Sequence, residues 1–258
     1  MTLELIDIGT NLTNRRFAGD LAEVLERARR AGVSTLIATG ISVRGSEDAL
    51  ALARARSEVV CTAGVHPHAA STLDEAGLGR LRELARDPRV VVLGECGLDY
   101  NRNLSSPAVQ RRAFEMQLEL ACELGTPVFL HERDAHEDFT RILARYRPRL
   151  PRGVVHCFTG RARELDAYLA MDLHFGITGW ICDRRRGAHL DALVPRIPAG
   201  RLMIETDAPF LAPPEAGVKR NEPSFLPIVL RAVAKARGEP IEQVAAETTA
   251  TARRFFAL

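Results

Sequence analysis

Four residues far apart in this chain share one local setting. Each of Glu95, His131, His156 and Asp207 follows a short apolar run: Val90–Leu93 leads to Gly94-Glu95, Pro127–Leu130 to His131, Gly153–Val155 to His156, and Leu202–Ile204 to Glu205-Thr206-Asp207. Carboxylate and imidazole together are the donors a divalent hydrolytic cation takes. Such a cation lowers the pKa of its water and offsets charge on an attacked phosphoryl or carbonyl group. Glu95, His131 and His156 are therefore the expected metal ligands. Asp207 is expected as a ligand, as the catalytic base that takes a proton from the activated water, or as both. A further run, Val59–Val65, leads to His66-Pro67-His68. His66 is a candidate catalytic residue, holding water or a substrate phosphate and stabilising the charge added there, and His68 is a candidate for a substrate contact or a loop hydrogen bond.

Several neighbours have two readings each. Asp99 and Arg102 follow Glu95 closely; they either reach a substrate phosphate or form a loop salt bridge. Arg133 either reaches substrate or pairs with Asp134 and steadies the loop after His131. Glu205 precedes Asp207 by two and would hold a ligand in place rather than bind the cation itself. Arg220-Asn221-Glu222-Pro223 lines the site or caps the next helix. Cys96 and Cys157 adjoin candidate ligands, but strand alternation turns them away, which makes them packing residues. Of the seven histidines, His136, His174 and His189 do not follow apolar runs and are expected to be structural.

A site gathered from such distant residues needs a frame that brings the ends of several strands together. The apolar runs are Leu3–Ile8, Thr35–Thr39, Val59–Val65, Val90–Leu93, Pro127–Leu130, Gly153–Val155, Leu173–Ile177 and Leu202–Ile204. They are short and mostly rich in β-branched residues, as suits strands buried on both faces of a parallel sheet. Between them lie stretches with helical spacing: Asp20–Ala31, Gly45–Arg56, Leu78–Arg86, Pro107–Leu124, Ala135–Tyr146, Glu164–Ala170 and, least regular, Arg184–Val194. Gly32 and Gly125 end two of them, and Ser105-Ser106-Pro107 reads as a cap followed by a first-turn proline. Pro223–Ala236 and Pro240–Phe256 read as two terminal helices. Eight strands alternating with helices predict an α/β chain folded as a single (β/α)8 TIM barrel over residues 1–258. An open doubly wound sheet is the alternative from pattern alone. In the barrel the C-terminal strand ends converge, so Glu95, His131, His156 and Asp207 would meet there.

Composition limits the partners. The chain has 35 basic and 33 acidic residues and a net charge of +2, which gives no long-range field for wrapping a duplex. Any nucleic-acid contact should be local. Lys219 and Lys235 are the only lysines; arginine suits bidentate phosphate contacts, although codon bias explains the excess as well. Five cysteines without a CxxC pair read as reduced thiols in a cytoplasmic protein. No run approaches the length of a membrane span, and no apolar patch calls for oligomerisation.

Read together, Gly64-Val65-His66-Pro67-His68, Gly94-Glu95-Cys96-Gly97-Leu98-Asp99, Leu130-His131, His156-Cys157-Phe158-Thr159-Gly160, Gly176-Ile177-Thr178-Gly179-Trp180, Glu205-Thr206-Asp207-Ala208-Pro209 and Arg220-Asn221-Glu222-Pro223 resemble, in order, the signatures of TatD-type deoxyribonucleases. The resemblance implies an amidohydrolase-like barrel and Mg2+-supported nuclease activity, with Mn2+ or Zn2+ as other cations. It implies 3′-to-5′ exonuclease action on single-stranded DNA and on RNA as a further substrate, by a protein that can act as a monomer. It also implies Glu95, His131 and His156 as ligands and Asp207 as ligand or base. Gly9 and Asn11 stand where most relatives carry a His-x-His pair, so one tightly held cation is expected, with any second ion weaker. Two other functions share these residues: hydrolysis of an ester, amide or lactone, and non-catalytic nucleic-acid binding.

Overall fold

The computed structural model describes residues 3–258. Eight strands form one sheet in sequence order: β1 (Leu5–Thr10), β2 (Val33–Ala38), β3 (Val59–Ala63), β4 (Val90–Asp99), β5 (Val128–Arg133), β6 (Gly153–Val155), β7 (His174–Ile177) and β8 (Leu202–Ile204). They are parallel and alternate with helices, which is the (β/α)8 TIM-barrel fold the alternation predicts. The helices are α1 (Leu21–Arg30), α2 (Val43–Ala55), α3 (Glu75–Leu84), α4 (Pro107–Leu124), α5 (His136–Tyr146), α6 (Ala162–Ala170), α7 (Leu190–Leu193), α8 (Leu226–Arg237) and α9 (Ile241–Phe256). No helix among the described residues is long and apolar enough to cross a membrane.

The chain divides into two compact units. One comprises the chain up to Ala38, Cys157–Asp166 and His174–Leu258; the other comprises Thr39–His156 and Ala167–Leu173. In the first, α9 packs on β1 and β8 and α8 packs on α9. Its Leu5, Ile8, Phe175, Met203 and Leu230 are fully buried. In the second, α2 packs on β3 and α4 on β4. Its Phe114 and Phe139 rings stack at 5.4 Å. Removing such side chains from water is the main stabilising term.

Local chemistry sets most element ends. Ser42 accepts a hydrogen bond from Gly45 N at 3.0 Å, so α2 begins at Val43, ahead of the expected Gly45. Asp74 accepts from Gly77 N at 2.8 Å and starts α3 at Glu75. Both are side-chain caps of otherwise unpaired first-turn amides. α4 matches its predicted bounds and ends on Gly125, left-handed at φ 62°.

Departures from the expected bounds include β4, β5 and the last helix before β8. β4 and β5 run on, to Asp99 and Arg133, because their pairing continues: Gly97 lies opposite His131, Leu98 opposite Glu132 and Asp99 opposite Arg133. Glu95 and His131 are therefore strand residues, not residues just beyond strands. The helix expected over Arg184–Val194 shrinks to the single turn α7. There Asp183 captures the Arg185 amide at 2.9 Å and the Arg186 guanidinium at 2.6 Å, and a Cβ on Gly187 would lie 1.9 Å from Trp180 O. That tight wrap around Trp180 takes the residues that a longer helix would need.

Candidate active site

Glu95 owes its position to an irregularity in β4. Gly94 pairs with Phe129 and Cys96 with Leu130, so Glu95 is an extra residue in the ladder, a bulge of the kind that re-aims a side chain. Its amide reaches Gly40 O at 3.0 Å instead of the neighbouring strand. The Gly94–Glu95 peptide bond is cis. Glycine flanks the bulge of necessity. Gly97 has φ 148°, and a Cβ there would lie 1.9 Å from His131 O.

Three imidazoles surround the Glu95 carboxylate. Oε1 lies 2.8 Å from His131 Nδ1, 3.4 Å from His66 Nε2 and 3.7 Å from His156 Nε2. Ligand atoms of His66, Glu95 and His131 all lie within 4.8 Å of one another, close enough to share one metal ion. Around this core, His68 Nε2 meets Asp99 Oδ2 at 2.8 Å, and His131 Nε2 lies 3.4 Å from the same oxygen. His131 Nε2 is buried without hydrogen-bonding geometry to any partner among the described residues. A buried imidazole nitrogen without a hydrogen bond, beside two carboxylates, suits a divalent cation, and the oxygen-and-nitrogen donor set suits a hard or borderline one. The residues present therefore fit a metal centre.

Burial and charge set the protonation states. Burial holds His66 neutral, at about 3, against the pull of Glu95. Burial opposes ionisation of Glu95, but the surrounding imidazoles outweigh it and hold the carboxyl below its usual range. Burial also opposes charge on His131, yet the Asp99 carboxylate 3.4 Å from Nε2 and the hydrogen bond from Nδ1 to Glu95 raise it to about 9. For Asp99 the nearby His131 imidazole and the hydrogen bond from the Arg102 amide outweigh burial and lower it. We take Glu95 and Asp99 as ionised and His66 as neutral.

The predicted residues divide as follows. His66, His68, Glu95, Asp99, His131 and His156 form one network. Asp99 does not pair with the Arg102 side chain; it accepts the Arg102 amide at 2.9 Å, because the loop turns back on the strand end. Arg133 Nε lies 3.8 Å from Asp134, whose Oδ2 accepts from Asn101 at 2.8 Å. Asp207 lies beyond β8, left-handed at φ 55°, and its Oδ1 accepts from Asn11 Nδ2 at 2.9 Å. Glu205 is fully buried and accepts from Cys157 N at 2.6 Å. Arg220-Asn221-Glu222 clamps structure: Arg220 forks onto Asp20 at 2.7 and 2.6 Å, and Glu222 takes Arg27 at 2.8 Å. Cys96 is fully buried, and burial pushes its thiol up.

Sequence reasoning missed the residues that hold this network. Gln117 on α4 grips the Val65 backbone on both sides, accepting from N at 2.7 Å and donating to O at 3.0 Å. Gln110, two turns earlier, does the same to Asp99 at 2.8 and 3.0 Å. The signal was present: two glutamines seven apart on the apolar face of a helix. Asp7, apart from that network, was equally legible as a charge inside the apolar run Leu3–Ile8; it accepts from Thr206 N at 2.9 Å.

A (β/α)8 barrel whose strands carry a buried Glu/His cluster able to hold a divalent cation defines a class, and sequence comparison narrows it. The chain belongs to the TatD related DNase family, whose model matches residues 6–257. It is 51% identical to a protein of Erwinia amylovora named 3′-5′ ssDNA/RNA exonuclease TatD, over 98% of this chain and 100% of that one. A Shigella flexneri protein of the same name is 48% identical over 98% and 99%. Among solved structures, a TatD homologue from Escherichia coli superposes with a TM-score of 0.92 at 27% identity, covering all of both chains. A TatD family hydrolase from Entamoeba histolytica gives 0.89 at 25% identity, covering 99% of each.

Proposed function

We propose that this protein is a divalent-metal-dependent nuclease that shortens single-stranded DNA, and RNA, from the 3′ end, with Mg2+ as its working cation. The observation that carries the reading is Glu95 Oε1, buried and ringed by imidazole nitrogens at 2.8, 3.4 and 3.7 Å. The names of the relatives at about half identity support the substrate class.

In this reading Glu95, His131 and His156 hold the cation, with Asp207 as a further ligand or as base. A bound divalent cation supplies Lewis acidity, lowering the pKa of a water and offsetting charge on the phosphate. Asp207, held at Oδ1 by Asn11, takes the proton of the attacking water. His66, neutral through burial, remains able to hydrogen-bond water or a phosphate oxygen without adding a charge. His68 and Asp99 fix the far side of His131, and Arg133 contacts the substrate phosphate. Residues 1–258 act as one hydrolase domain, as a monomer in the cytoplasm, where the five free thiols would stay reduced.

The test is a single-stranded oligonucleotide labelled at its 5′ end, incubated with Mg2+, Mn2+ or EDTA. A ladder shortening from the 3′ end, lost in EDTA and in His131→Ala, is the expected result. Folded protein that leaves the strand intact with every cation would overturn it.

A further inference from the structure

Phe210 is an aromatic ring left 44% exposed three residues after Asp207. Its backbone is immobilised. Asn221 Nδ2, itself buried, donates to Phe210 O at 2.7 Å and to Thr206 O at 2.8 Å, and Phe210 N donates to Asp207 O at 3.0 Å. Pro209 precedes it, and Asp207 and Leu211 on either side are left-handed, each at φ 55°. An apolar ring held in the open by a fixed loop loses contact with the core but little further entropy when a flat ligand covers it.

The charge beside it is uncompensated. Several arginines in this unit take carboxylates: Arg27 on Glu222, Arg220 on Asp20, Arg231 on Glu215. Arg16 instead gives its guanidinium to neutral carbonyls, Pro209 O at 3.1 Å and Lys219 O at 3.4 Å. That one side chain ties the backbone just before Phe210 to the backbone of Lys219, which brings the loop that carries the ring beside both cationic residues. Arg16 and Lys219 are both exposed, and neither forms an ion pair among the described residues.

We propose that Phe210, with Arg16 and Lys219, forms a ledge that binds single-stranded nucleic acid, a base stacking on the Phe210 ring and the flanking phosphates meeting the two cations. The combination suits a single strand because every base has a face to stack and every linkage a charge to neutralise, whereas a duplex hides its base faces. It also fits a chain with a net charge of only +2, which must attract its substrate locally. The ledge deepens the nuclease reading and rests on it for its substrate class.

The experiment measures binding rather than turnover. Fluorescence anisotropy follows a labelled phosphorothioate oligothymidylate, and an abasic strand of equal length, added to the full chain in Mg2+. Phe210→Ala should weaken binding of the base-bearing strand at least about fivefold and leave the abasic strand within about twofold. Phe210→Trp should restore affinity. Lys219→Gln should weaken both strands alike and reduce the slope of log affinity against log salt by about 0.7. Because the Phe210 side chain is exposed, its Ala variant should melt within about 2 °C of the parent, which separates lost binding from lost folding. Unchanged affinity in Phe210→Ala, or an equal loss on both strands, overturns the ledge. Wild-type protein that shortens oligonucleotides without any dependence on Phe210 sinks the ledge alone. Protein that binds strands through Phe210 and never cleaves them keeps the ledge and sinks the nuclease reading.

Discussion

Glu95 is 5% exposed and held below the usual carboxyl range among three imidazoles, an arrangement that suits a divalent cation. Replacing Glu95 by Gln keeps the shape and removes the charge. Mn2+ affinity, read by titration calorimetry, should fall more than about 100-fold while circular dichroism stays unchanged. Affinity within a factor of about three of the parent would remove Glu95 from the metal role. Asp99 acts one step further out, on His68 and His131. Asp99→Asn should cost about 10- to 100-fold in the same titration, and no change would leave Asp99 as a loop residue only. Glu95, His131 and His156 could be singled out from sequence because each follows an apolar run, and a run's end is legible. The nearness of His66 to Glu95 could not, because it depends on a bulge and on Gln117 gripping the Val65 backbone from another helix. Asn11 was legible only as a departure from a His-x-His pair; its hydrogen bond to Asp207 gives it a positioning role that no ligand pattern suggests.

At the scale of elements, α4 is the part that does more than pack. Gln110 and Gln117 are 0% and 2% exposed and sit two turns apart on its buried face. Each supplies a donor and an acceptor to one backbone residue, as a neighbouring strand would, beside His66 in one case and at Asp99 in the other. Gln117→Leu leaves the Val65 amide and carbonyl unpaired, and should cost about 2 kcal/mol or more in urea unfolding. The loss should carry over to Mn2+ affinity if the backbone of His66 moves with it. A variant as stable as the parent would mean that water or a shifted strand takes over both bonds. Most elements were readable because apolar runs and helical spacing are local patterns. The exceptions have non-local causes. β4 and β5 lengthen because each continues to find the other, and the helix near residue 190 shortens because Trp180 and Asp183 claim its first residues.

Across the molecule, the first and last strands meet through polar groups as well as packing. Asp207 N donates to Gly9 O at 2.8 Å, Asn11 N to Ala208 O at 2.7 Å, and the Thr206 hydroxyl to Asp7 Oδ2 at 2.5 Å. Asp7 is fully buried at this seam, and burial, aided by nearby Glu205, raises it to about 7 against the hydrogen bonds from Thr206. The native state therefore holds a proton that the unfolded chain releases near the ordinary carboxyl value of about 4. A raised carboxyl stabilises the fold fully below that value, and its contribution is lost as pH rises through about 7. Between pH 4.5 and 7 this residue should lower unfolding free energy by up to about 1.4 kcal/mol per pH unit, measured in urea with EDTA present to remove bound cations. Asp7→Asn keeps an oxygen for the Thr206 and Gly9 amides and has no proton to lose, so its stability should vary less over the same range. If parent and variant show the same pH slope, Asp7 is ionised throughout, and the seam is held by a buried charge rather than by a neutral hydrogen-bonded pair.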